Sequence, residues 1–219
     1  MKRDELTRRY LLFVLSLFFA ALGVAFTKHG ELGVSPISSV ANVMTFRFPA
    51  LSLGTWLILW NCVLILGQIA ILRKRFQPIQ LLQVPLSVLF GWFTDLGLWM
   101  VSPLPAEAYP ARLLMVLIGI VVLGFGISLA VIANVVMNSG EAFVKAAADG
   151  LGKNFGDVKV AFDVFCVALA LVLSLLFFRG VVGTREGTVL SALLTGLVVK
   201  FFTKRLHGPV TGLLTGTKS

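Results

Sequence analysis

Charge is in short supply in this sequence: Asp, Glu, Lys and Arg make up 13% of its 219 residues, about half the share found in an ordinary soluble domain. A chain so short of charge has too few solvated groups to cover a composition that is 58% apolar, and its mean hydropathy of +0.95 places most of it in lipid. Histidine is scarcer still. His29 and His207 stand far apart with no metal-ligand spacing around them, so no metal site and no cofactor are expected. A phosphate-binding loop is missing too, because Gly180-Val181-Val182-Gly183-Thr184-Arg185 lacks the required lysine and spacing. That argues against a nucleotide-driven pump. A serine nucleophile needs a base within reach, and no buried histidine serves Ser35 or Ser139; with a serine–lysine pair the one arrangement left open, an enzyme is not expected. The two cysteines, Cys62 and Cys166, fall inside apolar stretches and read as small packing residues rather than a disulfide.

Long apolar runs, by contrast, are plentiful. Six stretches, about 10–27, 53–72, 80–101, 112–133, 159–178 and 187–203, are long and apolar enough to span a bilayer as helices. The first exceeds a signal-peptide core and is followed by no small-residue cleavage site, so the first span is expected to be kept. A net charge of +9 would suit nucleic acid if it were gathered on one face, but the basic residues instead punctuate the ends of the apolar runs, so no nucleic-acid partner is expected. Placing the N-terminus in the cytoplasm puts fourteen of the 19 Lys and Arg residues inside, among them Lys2, Arg73, Lys74, Arg75, Lys145 and Lys218. Lys28, Arg47, Arg112, Arg179 and Arg185 fall outside. This bias predicts an even number of spans with both tails cytoplasmic.

The order of features repeats. Residues 11–97 laid over 113–203 each give an apolar helix, a serine-led polar segment, a glycine-started second span and a third span. Gly54-Thr55 precedes Asn61 as Gly156-Asp157 precedes Asp163, with the same spacing. The predicted fold class is therefore an all-α membrane protein, a single membrane domain over 1–219 made of two inverted three-helix repeats, about 10–101 and 112–205. An odd number of spans in each half is what inverts the second. Each repeat carries a short half-helix after its first span: Ser35-Pro36 and Ser139-Gly140 read as helix starts, giving helices of about 36–44 and 140–149. Helices this short either lie in the interface or dip into the bilayer and return. If they dip, their free amides and positive dipole ends face the centre.

Polar residues within spans are costly and normally face a bundle interior or a water-filled cavity; here they are Asn61, Gln68, Gln83, Asp95 and Asp163. Glu141, Lys145 and Asp149 recur every four residues and share one face of the second short helix. Small residues mark expected packing seams: Ala21 and Ala25, Gly119 to Gly126, and Thr188, Ala192 and Gly196. Inverted repeats are a common plan for secondary transporters, with solute held between the halves near the bilayer midplane. The expected lining is Ser35, Ser38, Ser39, Asn42 and Asn61 from one half, with Asn138, Ser139, Glu141, Lys145 and Asp163 from the other. The expected function is a small secondary transporter or channel-like permease for an unidentified small solute, with proton coupling through Asp163 or Glu141. The alternatives are a solute-binding membrane subunit of a larger ATP-driven transporter, or a non-transport scaffold or sensor. The expected partners are the lipid bilayer, the solute and, given a mass of 23.7 kDa, a second copy in a homodimer.

One resemblance runs through nearly the whole chain. Leu32-Gly33-Val34-Ser35-Pro36, Ser52-Leu53-Gly54-Thr55-Trp56, the basic turn Arg73-Lys74-Arg75 and Val160-Ala161-Phe162-Asp163 resemble the YczE/YyaS/YitT group of bacterial membrane proteins. The segment Val182-Gly183-Thr184-Arg185-Glu186-Gly187-Thr188 departs from that pattern by its extra charge. The resemblance implies six spans and a bacterial inner-membrane location, and it brings no substrate with it.

Overall fold

A computed structural model describes residues 3–215; Lys2 and Lys218 lie outside the described residues. The chain forms helices α1 Arg3–His29, α2 Pro36–Arg47, α3 Leu53–Leu72, α4 Gln83–Val101, α5 Tyr109–Ala133, α6 Ser139–Leu151, α7 Phe155–Phe178 and α8 Glu186–Thr215. Two 3-10 turns, Arg73–Arg75 and Pro78–Leu82, join α3 to α4. No strand occurs among the described residues. Six helices, α1, α3, α4, α5, α7 and α8, are long and apolar enough to cross a membrane, and the chain is a multi-pass membrane protein. The two short helices run a little longer than expected, to Arg47 and Leu151. Helix α1 starts at Arg3, one to two turns before its apolar stretch, and α8 continues through Pro209 to Thr215.

Helices α1 and α5 form the centre. Their contact is made of small residues: a Cβ at Gly119 would lie 2.8 Å from the Gly23 carbonyl, one at Gly126 2.8 Å from the Ser16 carbonyl, and one at Gly30 2.7 Å from the Arg112 carbonyl. Ascending positions on α1 meet descending positions on α5, so the pair is antiparallel. Glycine is needed because the backbones approach too closely for any side chain between them. Ala21 and Ala25 are fully buried on the other side of α1, where Ala25 faces Gly97 of α4. Thr188 is buried as well, but Ala192 and Gly196 are exposed and a Cβ at Gly196 would meet nothing within 4 Å. That correction follows from the rotation of α8, which turns Leu190, Leu194 and Val198 toward Val116 and Ile120 of α5. A four-residue repeat of small residues marks a face without saying whether a helix lies against it.

The remaining helices pack in pairs around this core. Helix α4 lies on α1 and α8 lies on α5; α2 contacts α7 and α3; α6 contacts α3 and α7; α3 also packs along α4. The α3–α4 contact explains Asp95. Its carboxylate accepts from Ser52 Oγ at 2.6 Å and from the Gly54 amide at 2.9 Å, while Ser52 also caps α3 by accepting from the Thr55 amide at 3.1 Å. Asp95 therefore satisfies amide and hydroxyl donors at the start of α3 that no carbonyl of that helix reaches. Cys62 and Cys166 are both free.

Candidate functional site

The two short helices bring their N-terminal ends together inside the bundle. Proline at the first position of α2 gives up only an amide with no intrahelical partner, and Asn138 caps α6 by accepting from the Ser139 amide at 3.0 Å. The second residues of the two helices then touch: a Cβ on Gly140 would sit 2.8 Å from Cδ1 of Ile37. Pro36, Ser38, Ser39, Ser139 and Gly140 are all buried. Ser35 donates to Ser38 Oγ at 3.0 Å. Ser39 donates to the Pro36 carbonyl at 2.6 Å and more weakly, at 3.4 Å, to the Cys166 carbonyl midway along α7. Helix α2 thus starts level with the middle of a spanning helix.

The start of α6 is fixed by a polar knot. Gln68 of α3 and Gln83 of α4 exchange two amide hydrogen bonds, at 3.0 and 3.1 Å. Gln68 also donates to the Ser139 carbonyl at 3.2 Å, and the Ser87 and Ser139 hydroxyls lie 3.1 Å apart. All four residues are buried. In lipid a buried amide without partners is costly, so this closed set pins the start of α6 to α3 and α4. Ser139, expected to line a solute path, is engaged here in holding the helix.

Charge gathers beside that contact. Lys159 and Asp163, one turn apart on α7, form a half-buried ion pair. Glu141, in the first turn of α6 and outside the six spans, lies within electrostatic reach of both. Its Oε2 is buried and has no hydrogen-bond partner. Burial pushes the Glu141 carboxyl above the ordinary carboxylate range, with Lys159 acting in the opposite direction. The acid–base–acid face expected on α6 is therefore split: Lys145 and Asp149 pair with each other at 3.3 Å on the exposed side, and Glu141 turns toward α7.

Of the expected lining, Ser35, Ser38, Ser39, Asn138, Ser139 and Glu141 gather around the meeting of the two short helices, with Asp163 on the neighbouring face of α7. Asn61 is buried on α3 and has no side-chain hydrogen bond among the described residues. Asn42 and Lys145 lie elsewhere. Asn42 sits toward the far end of α2, where Lys28 Nζ donates to its Oδ1 at 2.6 Å and its amide donates to the Gly183 carbonyl at 2.6 Å. Lys28 also sits 3.9 Å over the Phe46 ring. Sequence reading treated Lys28 and Lys159 as topology markers alone. For Lys159 the four-residue spacing to Asp163 was a usable signal; for Lys28 no local signal exists, because its partners Asn42, Thr45 and Phe46 come from a separate helix, α2.

Comparison with known proteins agrees with this architecture and adds no activity. The chain is 26% identical over 200 residues to the uncharacterized membrane protein YczE of Bacillus subtilis (strain 168), covering 91% of this chain and 87% of that protein. No solved structure matches it. The match to DUF6198, a family of unknown function, spans residues 7–204. With six apolar helices, two buried short helices and a YczE-type relative matched almost end to end, the chain belongs to the DUF6198 family of membrane proteins.

Proposed function

We propose that this protein is a small secondary transporter or channel-like permease in the bacterial inner membrane, carrying a small solute between two inverted repeats. The observation that carries this reading is the end-to-end meeting of α2 and α6 at Ile37 and Gly140. Two half-helices that converge from opposite sides bring free amides and positive dipole ends to one place, a recurring way to hold a solute within a bilayer. The packing supports the inverted plan, because α1 on α4 is matched by α5 on α8, α2 on α7 by α6 on α3, and α2 on α3 by α6 on α7. The antiparallel α1–α5 pair would then lie on the pseudo-twofold axis.

In this reading Ser35, Ser38 and Asn138 face the solute, Asn61 offers an uncommitted amide, and Glu141 is the proton-carrying group, with Lys159–Asp163 setting its field. The chain works as a carrier rather than an enzyme, in a homodimer, with both termini cytoplasmic. A buried carboxyl beside an ion pair loads a proton more readily than an exposed one, and releases it when water enters.

The test is a single-cysteine scan of residues 33–44 and 137–149 in a background lacking Cys62 and Cys166, using a membrane-impermeant thiol reagent applied from each side. Reaction of positions 35 and 139 from both sides, varying with conditions, supports a central aqueous path. Reaction of the first segment only from one side and of the second only from the other, uniformly and at full rate, sinks the transport reading.

A further inference from the structure

A second recessed surface lies away from the central contact. A cavity of about 950 Å³ opens between the α3–α4 connection and the outer face of α6. Arg73, Lys74 and Arg75 line it from one side, with Lys145 and Asp149 on the other. Asp149, the one acid among the lining residues, is already paired with Lys145, so the three cations of the turn face the cavity with no further acid to neutralise them. Arg73 caps α3 with a positive φ of 47°. The Gln68–Gln83 bonds immediately below hold α3 and α4 together, so the turn sits on a fixed base. Gln80, also on the wall, has a buried amide oxygen without a partner. Apart from Gln77 and Gln83 the rest of the wall is apolar, including the exposed side chains Ile71, Ile79 and Met137.

We infer that this cavity is a binding site for an anionic phospholipid, with its phosphate against Arg73, Lys74 and Arg75 and its upper acyl chain against Ile71, Ile79 and Met137. The cavity lies at the ends of α3 and α4, the depth at which headgroups meet a spanning helix, and basic pockets between spanning helices take acidic headgroups there. Guanidinium groups suit a phosphate diester, because they present paired donors in a plane. A free phosphate ion would meet the same three cations but leave the apolar wall uncovered. That wall decides between the two sources. The site does not depend on the transport reading, since it uses the outer face of α6 and none of the residues at the central contact.

The test uses the full chain in nanodiscs of zwitterionic phosphatidylcholine, with phosphatidylglycerol or inorganic phosphate added in separate arms. Retained lipid is counted by native mass spectrometry, and thermal unfolding is followed in parallel. The expected result is one phosphatidylglycerol retained per chain, with a raised Tm that falls away at high salt, and no shift with inorganic phosphate. Replacing Arg73, Lys74 and Arg75 by Gln should weaken retention on the order of a hundredfold, at about fivefold for each basic group removed. The exposed single change Lys145→Gln serves as a milder second variant, and Lys200→Gln on distant α8 should leave retention unchanged. Equal retention by wild type and the triple variant, or an equal Tm shift with inorganic phosphate alone, would overturn the assignment.

Discussion

Glu141 carries the most consequential chemistry of any single residue here, because one of its carboxylate oxygens is buried without a partner while a cation and an anion lie nearby. Its carboxyl is held above the ordinary range, so the stability it contributes is complete below the ordinary carboxylate value and is lost as pH rises through the raised one. Glu141→Gln keeps the size and removes the titration. The variant is expected to match wild type near pH 4 and to unfold roughly 2–4 °C higher near pH 8, read from Tm in detergent at the two pH values. A Gln variant less stable than wild type at pH 8 would mean that Lys159 favours the carboxylate more than burial opposes it. Some of this scale was legible in the sequence: Asp163 stands out because a polar group in an apolar stretch is expensive, Glu141 by its four-residue spacing to Lys145 and Asp149, and Ser35 and Ser139 as helix starts. What they touch was not legible. Lys145 was expected to serve the site and instead pairs with Asp149 on the surface.

At the scale of elements, close packing of backbones decides which small residues matter. Gly23 and Gly119 face each other across α1 and α5, and the Cβ of an alanine at Gly23 would fall within 3 Å of the Leu123 backbone. Gly23→Ala is expected to destabilise by about 1–3 kcal/mol, as overpacking of a tight contact does, seen as a fall of several degrees in Tm. Gly196→Ala, where open space surrounds the position inside α8, should cause no loss and stabilise by up to about 1 kcal/mol. Equal losses in the two variants would contradict the α1–α5 seam. The sequence signalled Gly119 and Gly196 alike as helix-contact residues and left Gly23 unmarked. Only the rotation of each helix about its own axis separates them, and apolar residues all around a membrane helix leave that rotation undetermined by hydropathy. The short helices show the same limit: the Ser-Pro and Asn-Ser-Gly starts announce where α2 and α6 begin, but whether they lie on the membrane or inside the bundle depends on partners contributed by α3, α4 and α7.

For the whole molecule, the arrangement of basic residues gives an orientation to test. A single cysteine placed at Glu107, between α4 and α5, should react with an impermeant reagent from outside intact cells. One at Lys153, between α6 and α7, should react only after the membrane is opened. The reverse pattern would invert the proposed topology and exchange the sides from which α2 and α6 enter. The number of spans, their limits to within a turn or two at most ends, and the existence of two short helices were set by sequence, because the length and hydropathy needed to cross lipid are properties of each segment alone. The meeting of α2 and α6, the Gln68–Gln83 knot, the turn of Glu141 toward Lys159 and Asp163, and the basic cavity over α6 were decided only by tertiary structure. Each joins residues from separate helices, and in lipid, where apolar faces are nearly interchangeable, close packing and polar pairing choose which helices meet.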